Sequence, residues 1–205
     1  MTIDIQRAVC GAYQENAYIL RAVGRDDCVV VDPGDDLAQI ERAVGGAKPV
    51  AILLTHGHFD HTLAAQPLAE KTGAPVYIHP DDIQMLNDPR LCSYDSGVCR
   101  LPAPKGLAAR PLGDRLSVCG IDFEILHTPG HSKGSVCLVL PGEGVLFSGD
   151  TLFRAGYGRM DLYGGSPEEM VRSLRRLFEL PAETRVYPGH GEATTIGAER
   201  ARYRL

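Results

Sequence analysis

The sequence predicts a single mixed α/β domain in which short buried strands alternate with amphipathic helices. Two observations lead to this class: short apolar runs end in turn residues, and stretches with helical spacing separate them. The 205 residues are 44% hydrophobic and 23% charged, which is ordinary for a globular protein with a substantial core. The pattern contains no repeat and no linker, so we expect one domain spanning residues 1–205.

In the first half of the chain, apolar runs predict strands at 28–31, 50–54 and 76–78. A helical face over 37–44 separates the first two strands and is ended by Gly45-Gly46. A second helical face over 63–69 precedes the third strand and is broken near Gly73.

The second half opens with a proline-rich segment at 88–113 that lacks periodicity, which predicts an irregular excursion. Further apolar runs predict strands at 121–126, 135–140, 145–148 and 185–187. A helix is predicted after Ser166, because Pro167 suits a first helical position and Glu169 completes a capping box. Pro181 is expected to end that helix.

Charge and composition disfavour several classes of partner. The net charge is −5 and no block of Lys and Arg is present, so we expect neither nucleic-acid nor membrane binding. The N-terminus lacks the pattern of a signal peptide, and no apolar run approaches the ~20 residues of a membrane span. Six cysteines without a CxxC pair indicate reduced thiols. We therefore expect a cytoplasmic protein acting on a small molecule, with its oligomeric state open.

The most informative stretch is His-Gly-His-Phe-Asp-His at residues 56–61, directly after a strand-like run. In a core, each of its three imidazoles and its carboxylate would need a polar partner. On a turn beyond a buried strand they can instead converge on metal ions, because imidazole suits zinc and iron and carboxylate adds an oxygen ligand. The motif predicts a metalloenzyme.

Three further metal-binding side chains stand beside glycines and near strand ends: His131, Asp150 and His190. Glycine permits the tight turns that hold a side chain at the end of a sheet. Seven ligands without cysteine fit two open metal sites better than a closed structural zinc site, which usually has four ligands.

Three other polar residues receive lesser roles. His79 is interpreted as a strand-end histidine or a partner of a ligand, and His127 as a solvent-facing or packing histidine, with an orienting hydrogen bond near His131 as the alternative. Asp32 closes a strand before Pro-Gly and is either a turn former or a partner of a ligating histidine.

The HxHxDH motif, followed by an isolated His, Asp and His, resembles the metallo-β-lactamase superfamily over roughly residues 10–200. The resemblance implies a four-layer αββα sandwich with an active site at one edge of its sheets. It implies a first metal ion held by His56, His58 and His131. It implies a second held by Asp60, His61 and His190, with Asp150 bridging both.

The implied cofactor is a pair of divalent ions, with zinc expected and iron or manganese as alternatives. A single-metal site also stays open. Paired ions lie ~3.5–4 Å apart and lower the pKa of a shared water from ~15.7 toward ~7, which makes hydroxide available as a nucleophile. The same resemblance gives Asp60 and Asp150 a part in catalysis.

Three stretches, at 15–18, 149–159 and 188–191, look most like glyoxalase II (hydroxyacylglutathione hydrolase) and its compact relatives. This resemblance implies hydrolysis of a thioester, whose thiol leaves readily because its pKa is ~8.5. Arg159 falls where that family has a glutathione-contacting Lys or Arg. Asp161 replaces the family's nearby Tyr, although Tyr157 and Tyr163 are close and are expected to contact substrate.

The chain also departs from glyoxalase II. It ends at Leu205, so we expect no C-terminal helical domain of the kind that holds glutathione there. Gly191-Glu192-Ala193 replaces the family's Glu-Tyr after the last histidine. The 88–113 segment is expected to be a solvated loop or an anion-binding rim built on Arg90, Arg100, Lys105 and Arg110.

Other activities stay open. A persulfide dioxygenase resembles this chain and would hold one iron with His56, His131 and Asp150. Hydrolysis of another ester, a lactone or a phosphodiester fits the same ligands. A true β-lactamase is less favoured, since such enzymes are exported and usually have Cys where Asp150 stands. A vestigial binding protein is disfavoured by the intact ligand set.

Overall fold

The computed structural model describes residues 2–103 and 105–203, which form two six-stranded sheets. The first sheet keeps chain order and consists of β1 (Ile3–Cys10), β2 (Glu15–Ala22), β3 (Asp27–Val31), β4 (Lys48–Leu53), β5 (Val76–Ile78) and β6 (Ala109–Pro111). Strands β1 to β3 pair antiparallel, whereas β3 to β6 pair parallel. The carboxyl ends of β3, β4 and β5 therefore meet at one edge.

The second sheet runs in the order β12-β11-β10-β9-β8-β7. Its strands are β7 (Arg115–Val118), β8 (Ile121–His127), β9 (Val136–Leu140), β10 (Val145–Gly149), β11 (Arg185–Pro188) and β12 (Thr194–Thr195). Only β10 and β11 pair parallel among these described strands. Because β9 is antiparallel to both β8 and β10, the carboxyl ends of β8, β10 and β11 share an edge.

Helices cover the outer faces of both sheets. They are α1 (Leu37–Val44), α2 (Phe59–Thr62), α3 (Ala65–Thr72), α4 (Pro167–Leu177) and α5 (Ile196–Arg200), with 3₁₀ helices at Pro80–Asn87 and Pro141–Glu143. Residues of α1 and α3 pack on the first sheet, and residues of α4 and α5 pack on the second. This is the predicted four-layer αββα sandwich. In the part of the chain that the structure describes, no helix has the length and apolar character to cross a membrane.

Strand β3 illustrates how the layers share one apolar run. Val29 and Val31 belong to the core between the sheets, whereas Cys28 and Val30 belong to the core beneath α1 and α3. All four side chains are buried, because successive residues of a strand point to opposite faces and both faces are covered. Each buried valine contributes about 1.5–3 kcal/mol.

One of the two hydrogen bonds of the predicted capping box is formed at the start of α4. Oγ of Ser166 accepts the backbone N–H of Glu169 at 3.3 Å, and Pro167 occupies the first helical position. The reciprocal bond is not formed. The N–H of Ser166 donates to the carbonyl of Gly130 at 2.8 Å, and the Glu169 carboxylate pairs with Arg172.

Two sequence-based predictions need correction, and one pair of strands was missed. The β1–β2 hairpin was not predicted at all. The 88–113 segment is not irregular throughout, because its last residues form β6 and pair with β5; Pro104 in this segment lies outside the described residues. Helix α4 ends at Leu177 rather than near Pro181, because the N–H groups of Glu179 and Leu180 donate to carbonyls three residues back, at Arg176 and Leu177, instead of continuing the α-helical pattern.

Candidate metal centre

The seven predicted ligands lie at the carboxyl ends of strands from both sheets. The 56–61 stretch follows β4 in the first sheet. His131 lies beyond β8, Asp150 directly follows β10, and His190 follows β11 in the second sheet. Because the two sheets face each other, these strand ends bring residues far apart in sequence to one place.

The first group consists of three buried histidines, His56, His58 and His131. Each offers a nitrogen, and these nitrogens all lie within 4.8 Å of one another. Nδ1 of His58 lies 2.8 Å from Nε2 of His131. The residues predicted to hold the first ion are therefore together.

The second group consists of Asp60, His61 and His190, whose ligand atoms also lie within 4.8 Å of one another. Nε2 of His190 is 3.3 Å from Oδ2 of Asp60. Oδ1 of Asp150 is 3.4 Å from Nε2 of His61, and its Oδ2 is 3.5 Å from Nε2 of His131. Asp150 thus lies between the two groups, where a bridging ligand is expected.

Several atoms of these groups are buried without a hydrogen-bond partner among the described residues. They are Nε2 of His56, His58 and His61, and Oδ1 of Asp150. A buried polar atom left unsatisfied costs about 1–3 kcal/mol. Four such atoms among seven candidate ligands fit a site that metal ions complete.

Ionisation of His56, His58, Asp60 and Asp150 suits cation binding, whereas neighbouring carboxylates outweigh burial and raise the pKa of His61 and His190, which must release a proton to a bound ion. Burial lowers the pKa of His58 to about 3, and burial and the neighbouring imidazoles lower the pKa of His56 well below its usual value. Both rings are therefore neutral, with lone pairs available. Burial alone would raise the pKa of Asp60 and Asp150, but the neighbouring histidines outweigh it and lower the pKa of both. Neutral imidazoles and ionised carboxylates are the forms that ligate divalent ions.

Hydrogen bonds from outside the groups fix the orientation of the histidine rings. Nδ1 of His131 donates to the carbonyl of Arg159 at 2.7 Å, and Nδ1 of His190 donates to the carbonyl of Tyr13 at 3.2 Å. Nδ1 of His61 lies 3.1 Å from Oδ2 of Asp32. In each case the bond leaves Nε2 free to face the site, as is usual for ligating histidines.

Asp82 is a supporting residue that sequence reasoning missed. Its fully buried carboxylate accepts the N–H of Gly57 at 3.0 Å, the N–H of Gly134 at 2.7 Å and the hydroxyl of Ser132 at 2.6 Å. It therefore joins the loop of His58 to the loop that follows His131. No local pattern distinguishes it from other acidic residues that begin a helix.

Glu15 is a second residue that sequence reasoning left without a role. It is fully buried, and neither carboxylate oxygen has a hydrogen-bond partner in the described chain. Oε1 lies 3.8 Å from Nδ1 of His61. Burial raises the pKa of Glu15 well above its usual value, although His61 opposes the shift. It lies in the 15–18 stretch that carries the family resemblance.

A cavity of about 560 Å³ adjoins the candidate ligands and has room for a small molecule. Three aromatic side chains, Tyr13, Phe59 and Phe153, line it together with candidate ligands that include His58, Asp60 and His190. The rings of Tyr13 and Phe59 meet edge to face, with centroids 5.1 Å apart. Sequence reasoning missed these aromatics, because loops from distant parts of the chain bring them together.

The three predicted substrate-contacting residues are placed differently from one another. Arg159 lines the cavity, and its guanidinium makes two hydrogen bonds to Asp161, at 2.7 and 2.6 Å. Tyr157 is exposed and lies near Tyr203, with ring centroids 6.0 Å apart. The hydroxyl of Tyr163 accepts a hydrogen bond from Gln84 at 2.7 Å. Neither tyrosine is among the residues that line the cavity.

The 88–113 segment reaches the cavity through Ser93 and Asp95 rather than through the basic residues considered for an anion-binding rim. Arg90 pairs with Asp88, Arg100 pairs with Asp36, and Arg110 lies over the ring of Tyr77. Lys105 bonds to Gln66 through its backbone. The four basic side chains lie outside the cavity lining, which fits the solvated-loop interpretation.

The fold has two facing sheets between helical layers, and its candidate metal ligands lie at the strand ends. This architecture is that of a metallo-hydrolase. Residues 10–190 match the model of the metallo-β-lactamase superfamily, and the chain belongs to this superfamily.

Curated relatives cover most of the chain. An uncharacterized protein of Mycobacterium leprae is 40% identical over 93% of this chain and 92% of its own length. A probable metallo-hydrolase of Bacillus subtilis is 38% identical over 95% of this chain and 93% of its own length. A hydroxyacylglutathione hydrolase of Xanthomonas campestris is 39% identical over 87% of this chain, which spans only 62% of that enzyme.

Solved structures show the same fold. The BLEG-1 B3 metallo-β-lactamase is similar with a TM-score of 0.89, at 36% identity over 97% of both chains. A protein solved in a di-iron-bound form has a TM-score of 0.84, at 42% identity over 95% of this chain and 96% of its own. ETHE1 from Myxococcus xanthus has a TM-score of 0.73, at 26% identity over 96% of this chain and 81% of its own.

Proposed function

We propose that the protein is a metal-dependent thioester hydrolase that releases a carboxylate and a small thiol. The observation that carries the proposal is the convergence of seven candidate ligands, several with unpartnered buried atoms, beside a cavity lined by aromatic rings. The similarity to the Xanthomonas hydroxyacylglutathione hydrolase supports the thioester class.

We assign separate roles in metal binding, proton transfer and substrate binding to the residues of the site. A pair of divalent ions held by the seven ligands would activate water and polarise the substrate carbonyl. Asp60, which lies 3.3 Å from Nε2 of His190 and lines the cavity, is proposed to hold the proton of the attacking water. Tyr13, Phe59 and Phe153 exclude bulk water from one side of the acyl group.

Thioester chemistry suits this cavity because the leaving group needs little help. A thiol of pKa ~8.5 departs as a thiolate at neutral pH, so no general acid is required on its side. Arg159 is the cation that lines the cavity, and Asp161 already shares its charge. Asp95 adds a carboxylate to the lining. We therefore propose a substrate thiol that carries little negative charge, with glutathione as the first probe.

The ions are proposed to be zinc, and iron is the alternative, supported by the similar protein solved in a di-iron-bound form. Elemental analysis of the purified protein, paired with hydrolysis of S-lactoylglutathione followed by ultraviolet absorbance, tests both parts. About two ions per chain, with turnover that His58→Ala abolishes, is the expected result. Comparison with a thioester of a small neutral thiol then tests the charge argument through kcat/KM.

Other outcomes would replace the proposal. The dioxygenase alternative would be favoured by three results together: one iron per chain, oxygen uptake with glutathione persulfide, and no thioester cleavage. The similarity to the BLEG-1 B3 metallo-β-lactamase makes β-lactam hydrolysis a second candidate. Turnover of a chromogenic cephalosporin at a higher kcat/KM than any thioester would favour it.

A further inference from the structure

A second cluster of ligating side chains lies outside the candidate metal centre, where the two sheets meet. His79 directly follows β5 of the first sheet, and His127 is the last residue of β8 of the second. Their rings stack with centroids 4.1 Å apart and planes inclined by 9°. Asp81 lies in the first turn of the 3₁₀ helix after β5, and one ligand atom from each of the three residues lies within 4.8 Å of the others.

Hydrogen bonds leave a lone pair on the Nδ1 atom of each ring. Nε2 of His127 lies 2.8 Å from the carbonyl of Lys133, which only accepts, so Nε2 carries the proton and Nδ1 is bare. Nδ1 of His79 also carries no proton, since it accepts the N–H of Asp81 at a long 3.3 Å, a bond that an ion would replace. A histidine that donates one ring N–H to a backbone carbonyl is in the tautomer that metal ligands adopt.

The charges around the stacked rings favour a cation. Oδ2 of Asp81 lies 3.8 Å from Nδ1 of His79, and Asp82 and Asp114 also act on that ring. Two cations also lie near the rings, since Lys133 lies over the ring of Tyr163 and Arg176 donates a hydrogen bond to the carbonyl of His127, but the three carboxylates outnumber them.

Protonation and access also suit an ion at the stacked rings. Burial and the neighbouring imidazole lower the pKa of His79, which keeps its ring neutral at pH 7. Its side chain remains 20% exposed and that of Asp81 56% exposed, so an ion can reach them from solvent.

We propose that His79, Asp81 and His127 form an auxiliary site for a divalent transition-metal ion, separate from the seven-ligand centre. Two imidazoles and a carboxylate suit zinc, copper or nickel, with water completing the coordination. Binding turns the rings out of their stack so that both Nδ1 atoms face the ion. Because β5 and β8 belong to different sheets, the bound ion links the two sheets beside the 3₁₀ helix that carries Asp82.

Zinc titration of the full chain by equilibrium dialysis tests the site. The wild-type protein is expected to bind one equivalent more than His79→Gln and one more than His127→Gln, whatever the occupancy of the main centre. Asp114→Asn is the matched control, because it removes a nearby carboxylate that is not a ligand, and it should keep the extra equivalent. Equal stoichiometry in the wild type and both histidine variants would overturn the proposal.

Nitrogen NMR of the imidazole side chains needs no variant and separates the site from a folding defect. The expected result is that Nδ1 of His127 moves from the resonance of a bare nitrogen to that of a metal-bound nitrogen as zinc is added beyond saturation of the main centre. An unchanged Nδ1 resonance at saturating zinc would show that the rings only stack.

Discussion

Oδ2 of Asp32 lies 3.1 Å from Nδ1 of His61, and the same carboxylate holds Thr55 by two hydrogen bonds, at 2.7 and 2.6 Å. The Thr55 hydroxyl in turn lies 3.1 Å from Nδ1 of His56. One buried carboxylate thus orients a histidine from each candidate metal group. Asp32 adopts a φ of +47°, a left-handed conformation that Asp and Asn tolerate better than most residues.

Asp32→Ala should weaken metal binding by about 10–100-fold, the usual effect of removing the partner of a ligating histidine. Asp32→Asn keeps the left-handed backbone and one acceptor oxygen, so it should lose less. Competition with a chelator of known affinity measures the change. Asp35→Ala is the control, because this buried carboxylate accepts the N–H groups of Arg100 and Leu101 instead of a histidine. Equal losses in the two alanine variants would contradict the assignment.

The sequence was sufficient to predict which candidate ligands lie together, because all seven residues stand in local motifs at strand ends. The 56–61 stretch follows an apolar run, and His131, Asp150 and His190 each adjoin a glycine. Asp32 was left between two interpretations, and its bond to His61 supports a partner role over a turn former alone.

Other features of the fold and site could not be predicted from the sequence, because most of them depend on contacts between distant segments. Asp82 acquires its role only when the loops at Gly57 and Gly134 meet across the sheets. Strand β1 escaped prediction because much of it is exposed, so it lacks a continuous apolar run. Tyr157 was expected to contact substrate because of its position in a motif, but its ring lies near Tyr203 instead of lining the cavity.

Asp82→Ala should destabilise the protein by about 3 kcal/mol or more, because it leaves buried donors without an acceptor. It should also weaken binding of the ion that His56, His58 and His131 are proposed to hold, because the loops of His58 and His131 lose their shared acceptor. Denaturant unfolding and metal competition measure the two effects. Ser132→Ala removes one of the donors and leaves the carboxylate two backbone N–H groups, so its effects should be smaller. Destabilisation of Asp82→Ala with unchanged metal affinity would restrict Asp82 to a role in folding.

The cysteines should react slowly with alkylating agents at neutral pH. Burial raises the pKa of Cys119 and of Cys137 to about 11. Only the thiolate reacts, so labelling of the partly exposed Cys119 by iodoacetamide should rise roughly tenfold per pH unit between pH 8 and pH 10 and level off above its pKa. Mass spectrometry of timed samples measures this, with denatured protein as the fully reactive control. Labelling of Cys119 at pH 8 as fast as in the denatured chain would contradict the raised pKa.

Gly189→Ala should disrupt the metal centre although it adds a single methyl group. A Cβ at this position would lie 2.4 Å from Oδ1 of Asp150 and 2.6 Å from Cε1 of His61, closer than side chains tolerate. The backbone cannot easily withdraw, because the N–H of Gly189 donates to the carbonyl of Gly149 at 2.8 Å. Asp150 or His61 must therefore move away from the ions they are expected to hold.

We expect Gly189→Ala to lose metal and to lower kcat/KM by at least about 100-fold, since a displacement of about 1 Å at a reacting centre has effects of this size. Gly142→Ala is the matched control, because a Cβ there meets no atom within 4 Å. The control should keep wild-type metal content and stay within about 0.5 kcal/mol of wild-type stability. Full metal content in Gly189→Ala would mean that Asp150 and His61 can shift without releasing an ion, and the bridging role of Asp150 would then be wrong.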